Sequence, residues 1–283
     1  MSAVAPRTRT TRFPLAIDAD SALAASARLW LLVALAGQWT FLYYIATFYD
    51  AATLAGDFAA WSRNPYLLRG YVAGDTAGNL AFAAHVLVAA AVTFAGALQL
   101  LSSLRARWPA LHRWNGRVFL TAAAIAATSG LGMIWLRGSR ANFTAGLATS
   151  IDAVLILAFG ALAWRAALVR DFAAHRRFAL RTYVAANGVW FQRIGMFGWA
   201  VGNHAALGMT KHFDGWFDLG WAFGCYLLPL AVLELYLRVT AGSAAATRWV
   251  MAAGILFLTA LTAFGVYAAY AFVWQPFLLR LGA

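Results

Sequence analysis

The sequence predicts an all-α integral membrane bundle of seven transmembrane helices. The 283-residue chain is 63% hydrophobic and only 11% charged, where soluble domains carry about a quarter charged residues. Its mean hydropathy is +0.68. Apolar runs of about 20 residues, enough to cross a bilayer, recur along it.

Those runs fall at Leu29–Tyr49, Asn79–Ser102, Val118–Leu136, Gly146–Trp164, Val184–Val201, Trp216–Leu237 and Trp249–Val273. The first follows Asp18 and Asp20 and is too long for a signal-peptide core, so it is expected to stay as a helix. Residues 1–28 read as a cytoplasmic segment, 29–274 as a single membrane domain and 275–283 as a short outer tail. Before the second span, Asp50–Gly78 mixes acids with Trp61, Tyr66 and Tyr71. Such aromatics favour the headgroup region, which predicts an interfacial helix over Ala52–Trp61 and a turn at Asn64-Pro65. Pro109 ends the second helix, because proline removes a helical hydrogen bond. His112 therefore lies beyond the break. Arg165–Arg181 holds no proline or glycine, which predicts that the fourth and fifth helices project past the lipid with His175 on that extension. The fifth span runs through Gly195, Gly198 and Gly202, and its outer end is hard to place.

A net charge of +12 raises the question of nucleic acid. The arginines, however, sit in short loops between spans, where the positive-inside rule puts them. Of the 22 Lys and Arg residues, 15 fall on the side of the N-terminus, six on the other, and Arg193 within a span. This bias predicts an inside N-terminus, an outside C-terminus and a lipid rather than nucleic-acid environment. Cys225 is the single cysteine, so an intrachain disulfide is excluded. Lys211 is the only lysine and lies in a loop, which excludes a retinal Schiff base.

Spans two and three form one hairpin, and spans four and five a second in the same orientation. His112-Arg113 and His175-Arg176 occupy equivalent turns, which suggests a parallel duplication of the kind built into transporters. Two imidazoles meeting there would make a bis-histidine b-type haem site. Arg113, Arg117, Arg176 and Arg181 would then neutralise the propionates. The alternative is a histidine hydrated among arginines that bind lipid phosphate. Zinc is disfavoured, since the loops lack the usual carboxylate or cysteine neighbours.

Along span two, His85, Ala89, Val92, Gly96 and Gln99 fall on one face at 3.6 residues per turn. Close helix packing, with Gln99 as a structural polar group, is one reading. A face for a flat cofactor with His85 as ligand is the other. His204 at the outer end of span five would be a second, outer ligand, while His212 beside Asp214 reads as a surface-loop residue. Arg193 inside the membrane needs a partner. Asp152 in span four is the expected one, with an anionic cofactor group or substrate as the alternative. Glu234 has Arg238 at i+4, the favoured spacing for a helical ion pair.

His85, Gly96, Gln99, Arg105, His112-Arg113, Gly116-Arg117, His175-Arg176-Arg177, Arg181 and Arg193 together resemble the pattern of bacterial membrane proteins grouped as domain of unknown function 2306. The resemblance covers Asn79 to Val201. It implies a bacterial plasma membrane location and brings no assigned activity. More distantly, the helix-two histidine, Gln99 and the His-Arg-x-x-Gly loop are similar to di-haem transmembrane cytochromes of the ascorbate and ferric reductase type. Those carry ligand histidines in four successive helices, whereas span four here has none. The readings that follow are a haem b electron-transfer protein or oxidoreductase using His85, His112 and His175 with a quinol, quinone or small reductant; a carrier or lipid/anion-binding protein using the Arg-His clusters; and a non-catalytic subunit of a membrane complex.

Overall fold

The computed structural model describes residues 18–64, 67–203 and 206–279, and among these the chain is helical with no strand. Helix α1 spans Ala19–Ile45, α2 Thr76–Gln99, α3 Pro109–Trp135, α4 Phe143–Leu168, α5 Phe172–Ala186, α6 Gly188–Gly202, α7 Trp216–Gly242 and α8 Ala245–Ala269. Both α1 and α8 run on through π-helical turns, Ala46–Asp50 and Tyr270–Trp274, into short terminal turns. Six helices are long and apolar enough to cross a membrane: α1 extended to Leu54, α2, α3, α4, α7, and α8 extended to Leu279. The chain is a multi-pass membrane protein.

Helix α1 begins well before its apolar run because Asp18 caps it, accepting from Ser21 N at 2.7 Å. An N-cap carboxylate satisfies one of the orphan amides that open every helix. The expected fifth span is divided. Asn187, at φ −93° and ψ 6°, separates α5 from α6, each 15 residues long, or about 22 Å at 1.5 Å per residue. Neither half reaches the length of a span. The expected run Val184–Val201 lies almost wholly in α6, since only Val184–Ala186 of α5 belongs to it.

Helix α4 runs to Leu168, beyond its apolar run, and α5 starts at Phe172, so His175 lies on a helical extension ahead of Val184; between the two helices Arg170 takes the left-handed conformation at φ 59°. Asp171 then caps α5 through Ala174 N at 2.9 Å. Arginine here does what glycine usually does at a helix C-terminus.

The helices alternate in direction, so two ends are defined. One end gathers the start of α1, α3, α5 and α8 with the finish of α2, α4 and α7, and carries most of the arginines. It is called the basic end below. The opposite end is closed by aromatic packing. Phe41 and Tyr44 of α1 meet Trp274 at ring-centroid distances of 5.2 and 6.1 Å, and Phe48 meets Phe277 at 5.7 Å. The segment expected to form one interfacial helix over Ala52–Trp61 folds instead as two short turns, Ala51–Leu54 and Phe58–Arg63. Trp61 sits in a 3-10 helix, Phe58–Arg63, and is fully buried against Tyr49 and Phe82. Helices α6 and α8 touch backbone to backbone, since a Cβ on Gly198 would lie 3.2 Å from Gly265 Cα. Small residues of this kind let membrane helices approach closely.

Candidate functional site

Two amides pin the α2–α3 hairpin at the basic end. Gln99 Nε2 donates to the His112 carbonyl at 3.0 Å, and Asn115 Nδ2 donates to the Ala95 carbonyl at 2.8 Å. Gly116 leaves the Gln99 amide room, in ordinary contact with where a Cβ would be. Pro109 opens α3, where a missing N–H costs nothing, and no side chain caps that helix. His112 is thereby held one turn inside the N-terminus of α3, with its Nδ1 buried and without a partner among the described residues.

The α4–α5 hairpin is closed differently. His175 Nδ1 lies 2.9 Å from the Ala163 carbonyl oxygen. A carbonyl only accepts, so Nδ1 carries a proton, and in the neutral form of the ring the lone pair is on Nε2. His175 and Arg105 are the titratable and charged groups whose fields reach His112, which places the two histidines in one neighbourhood. Arg105, Arg113, Arg117, Arg176 and Arg177 are exposed at this end, and no carboxylate pairs with them among the described residues. The guanidinium of Arg117 stacks on Trp114 at 4.7 Å and that of Arg107 on Trp108 at 5.4 Å. Both tryptophans are exposed. Arg107, Trp108, Pro109, Ala110 and Leu111 line an open hollow of about 530 Å³.

Arg181 does not belong to this free set. Its Nε and Nη2 donate to the two carboxylate oxygens of Glu234 at 2.6 and 2.8 Å. The expected partner of Glu234 was Arg238, on the same helix. A bidentate fork from α5 satisfies both carboxylate oxygens at once, which an i+4 neighbour reaches less well.

His85 stands apart from the other two histidines. Fourteen residues separate it from Gln99, about 21 Å along α2, so it shares no ligand with His112. Its Nδ1 is 2.8 Å from Ser129 Oγ on α3. That hydroxyl gives its own proton to the Ile125 carbonyl at 2.7 Å, so His85 donates and its Nε2 keeps the lone pair. The small-residue face between the two levels is filled by the protein. A Cβ on Gly96 would meet the Phe119 ring at 3.0 Å and the Tyr183 ring at 3.3 Å, and Val92 is buried. In this structure that part of the stripe packs against Phe119 and Tyr183.

Arg193 and Asp152 do not form the pair expected of them. Arg193 Nη1 donates to the Val189 carbonyl at 3.1 Å, and its guanidinium lies over the Phe41 ring at 5.3 Å. Its field reaches Tyr44 and His85. Asp152 instead faces Gly188 at the start of α6. His204 lies outside the described residues. His212 is exposed in the loop before α7. No group of three or more His, Cys, Asp or Glu side chains gathers in metal-binding proximity among the described residues.

Sequence reasoning missed a second arginine cluster, at the aromatic end. Arg137 donates through Nε to Asp75 at 3.1 Å, through Nη1 to the Gly70 carbonyl at 3.2 Å and through Nη2 to Asn79 Oδ1 at 2.6 Å. Asn79 also exchanges hydrogen bonds with the backbone of Val72 at 3.0 and 2.9 Å. This clasp fastens the long connection to α2 and α3.

Six helices long and apolar enough to cross a membrane, in an all-helical bundle, define the class: a multi-pass membrane protein. The family described as Predicted membrane protein (DUF2306) matches residues 82–237, more than half of the chain, and the chain belongs to it. The match runs from α2 into α7 and takes in His85, His112, His175, Asp152 and Arg193. Neither the curated proteins nor the solved structures give a match.

Proposed function

We propose that α5 and α6 together make a seventh crossing, broken at Asn187, that the basic end faces the cytoplasm, and that this end binds an anionic, phosphate-bearing group as part of a carrier or lipid-handling protein. The observation that carries the reading is the set of exposed arginines without carboxylate partners around His112 and His175. Membrane-surface arginines attract anionic headgroups at about 1 kcal/mol each. The Arg-on-Trp stacks hold two guanidiniums at headgroup level, where tryptophan resides. The uncapped N-terminus of α3 adds the positive end of a helix dipole. Equivalent His-Arg turns on two parallel hairpins fit a duplicated carrier core.

The test is binding of the purified full chain to nanodiscs containing phosphatidylglycerol or phosphatidylcholine alone, with free phosphate as competitor. Preference for the anionic lipid that weakens with salt and falls at least fivefold in Arg113→Ala and Arg176→Ala supports the reading. Competition by free phosphate assigns a soluble ligand instead of a lipid. Equal binding by both variants rejects it.

A second reading keeps haem b and electron transfer from a quinol or small reductant. It rests on the His175 tautomer, which leaves Nε2 free as in metal-ligating histidines, and on the unpartnered Nδ1 of His112. Reduced-minus-oxidised visible spectra and a pyridine haemochrome assay decide it. A six-coordinate band lost in His112→Ala and His175→Ala favours haem, and a colourless folded protein made with haem supplied removes it.

A further inference from the structure

A cavity of about 30 Å³ lies between α4, α6 and α7, lined by Thr149 and Asp152 of α4, Gly188 and Gln192 of α6, and Cys225 and Tyr226 of α7 among others. It has room for about one or two water-sized particles. Asp152 is only 6% exposed, and its Oδ1 has no partner among the described residues. The Tyr226 hydroxyl is likewise buried and unpartnered. Asp152 and Tyr226 both line the cavity, and each carries a buried oxygen without a partner among the described residues, where buried polar groups are ordinarily satisfied.

The backbone around the cavity is irregular where it matters. Gly188 opens α6, and a Cβ there would come within 2.5 Å of Asp152 Oδ2. Only glycine admits the carboxylate to this position, at the positive end of the α6 dipole, where negative charge is favoured. Pro229 sits inside α7 and has no N–H to offer the carbonyl four residues earlier. That carbonyl belongs to Cys225, which lines the cavity. Arg193, the nearest candidate counter-charge by sequence, is turned to Val189 and Phe41. No arginine, lysine or histidine lines the cavity, and the titratable groups facing Asp152 are Cys225 and Tyr226 from α7. The neighbouring faces of α6 and of α4 itself present Gln192 and Thr149.

We infer that Asp152 holds one small monovalent cation, an alkali ion or a proton, in this cavity, with the Tyr226 hydroxyl and the freed carbonyl of Cys225 completing an oxygen shell. Hard cations are bound by carboxylate, hydroxyl and carbonyl oxygens. Cavities at broken helices near the bilayer centre are where membrane proteins tolerate irregular backbone. Asp152 lies nine residues into α4, about 14 Å from its start, well inside the apolar layer. The site does not depend on what the basic end binds.

The test uses the full chain in detergent, with radioactive Na⁺ as probe and K⁺ and choline as competitors. Saturable Na⁺ binding in the wild type, weakened at least tenfold in Asp152→Asn and severalfold in Tyr226→Phe, assigns the alkali ion. Absence of Na⁺ binding with a protonated-carboxyl infrared band that disappears in Asp152→Asn assigns the proton. Neither Na⁺ binding nor such a band overturns the inference and leaves Asp152 as a charged cap on α6. If Asp152→Asn does not fold, Tyr226→Phe decides: weakened Na⁺ binding or a shifted carboxyl band supports the cavity, and wild-type behaviour in both overturns it.

Discussion

Arginines at the two ends of this bundle lead different lives. At the aromatic end Arg137 has an 11% exposed side chain and three protein acceptors, while Arg69 reaches the Arg137 carbonyl at 3.2 Å and Arg140 the Ile134 carbonyl at 2.7 Å. At the basic end Arg105, Arg113, Arg176 and Arg177 are exposed and free of carboxylates among the described residues. The difference separates arginines that build the protein from arginines available to something else. A partnered, buried guanidinium stabilises through geometry, whereas an exposed one contributes little to folding and keeps its charge for a ligand.

The largest effect should come from Arg137→Ala. It removes the guanidinium from Asp75 Oδ2 and leaves Asn79 Oδ1 with the Val72 N–H alone. Losing a partly buried charged hub costs about 2–3 kcal/mol, and at about 2–4 °C per kcal/mol for a chain of this size the apparent Tm should fall by roughly 5–10 °C. Differential scanning fluorimetry in detergent reads this directly. Nanodisc binding at the basic end should stay at the wild-type level. Loss of both together would show that the two ends are not independent.

Next comes a partnered arginine at the basic end, where Arg248 also pairs with Asp20 at 2.7 Å. Arg181 is 18% and Glu234 36% exposed, so their bidentate pair sits between the extremes. Glu234→Gln or Arg181→Gln should lower stability by about 1 kcal/mol. Exchanging the two, Arg181→Glu with Glu234→Arg, should recover most of it. A double variant no better than the worse single one would mean that the side chains act separately rather than as a pair.

These contrasts were only partly visible in the sequence. Hydropathy alone located the six long apolar helices, because lipid contact imposes long apolar runs whatever the tertiary contacts are. It placed the fifth run but not its interruption at Asn187, next to which Gly188 packs closely against Asp152 and Tyr226. The His-Arg loops could be read because they stand out against apolar flanks. Partners could not be. Arg137 meets Asp75 across 62 residues and Arg181 meets Glu234 across 53, whereas the sequence offered only the local Glu234–Arg238 spacing. The proposed Arg193–Asp152 pair failed for the same reason. Opposite charges within reach along neighbouring helices do not fix which way each side chain turns, and Arg193 found a backbone carbonyl and an aromatic face instead.

The smallest stability effect should belong to the residues expected to matter most for binding. Arg113→Ala and Arg176→Ala remove exposed side chains without an ion-pair partner among the described residues, so each should shift stability by less than about 0.5 kcal/mol, below about 2 °C in apparent Tm. Their effect on association with anionic nanodiscs should be large by comparison and should shrink as ionic strength rises, because salt screens exposed charges over about 10 Å at 0.1 M. Histidine substitution separates the contributions further. His175→Gln retains an amide donor for the Ala163 carbonyl while removing the imidazole, so a variant that folds normally but loses anion preference would give His175 a part in recognition. If it folds and binds as the wild type does, the ring only fastens α4 to α5, and the arginines alone distinguish this end from the other.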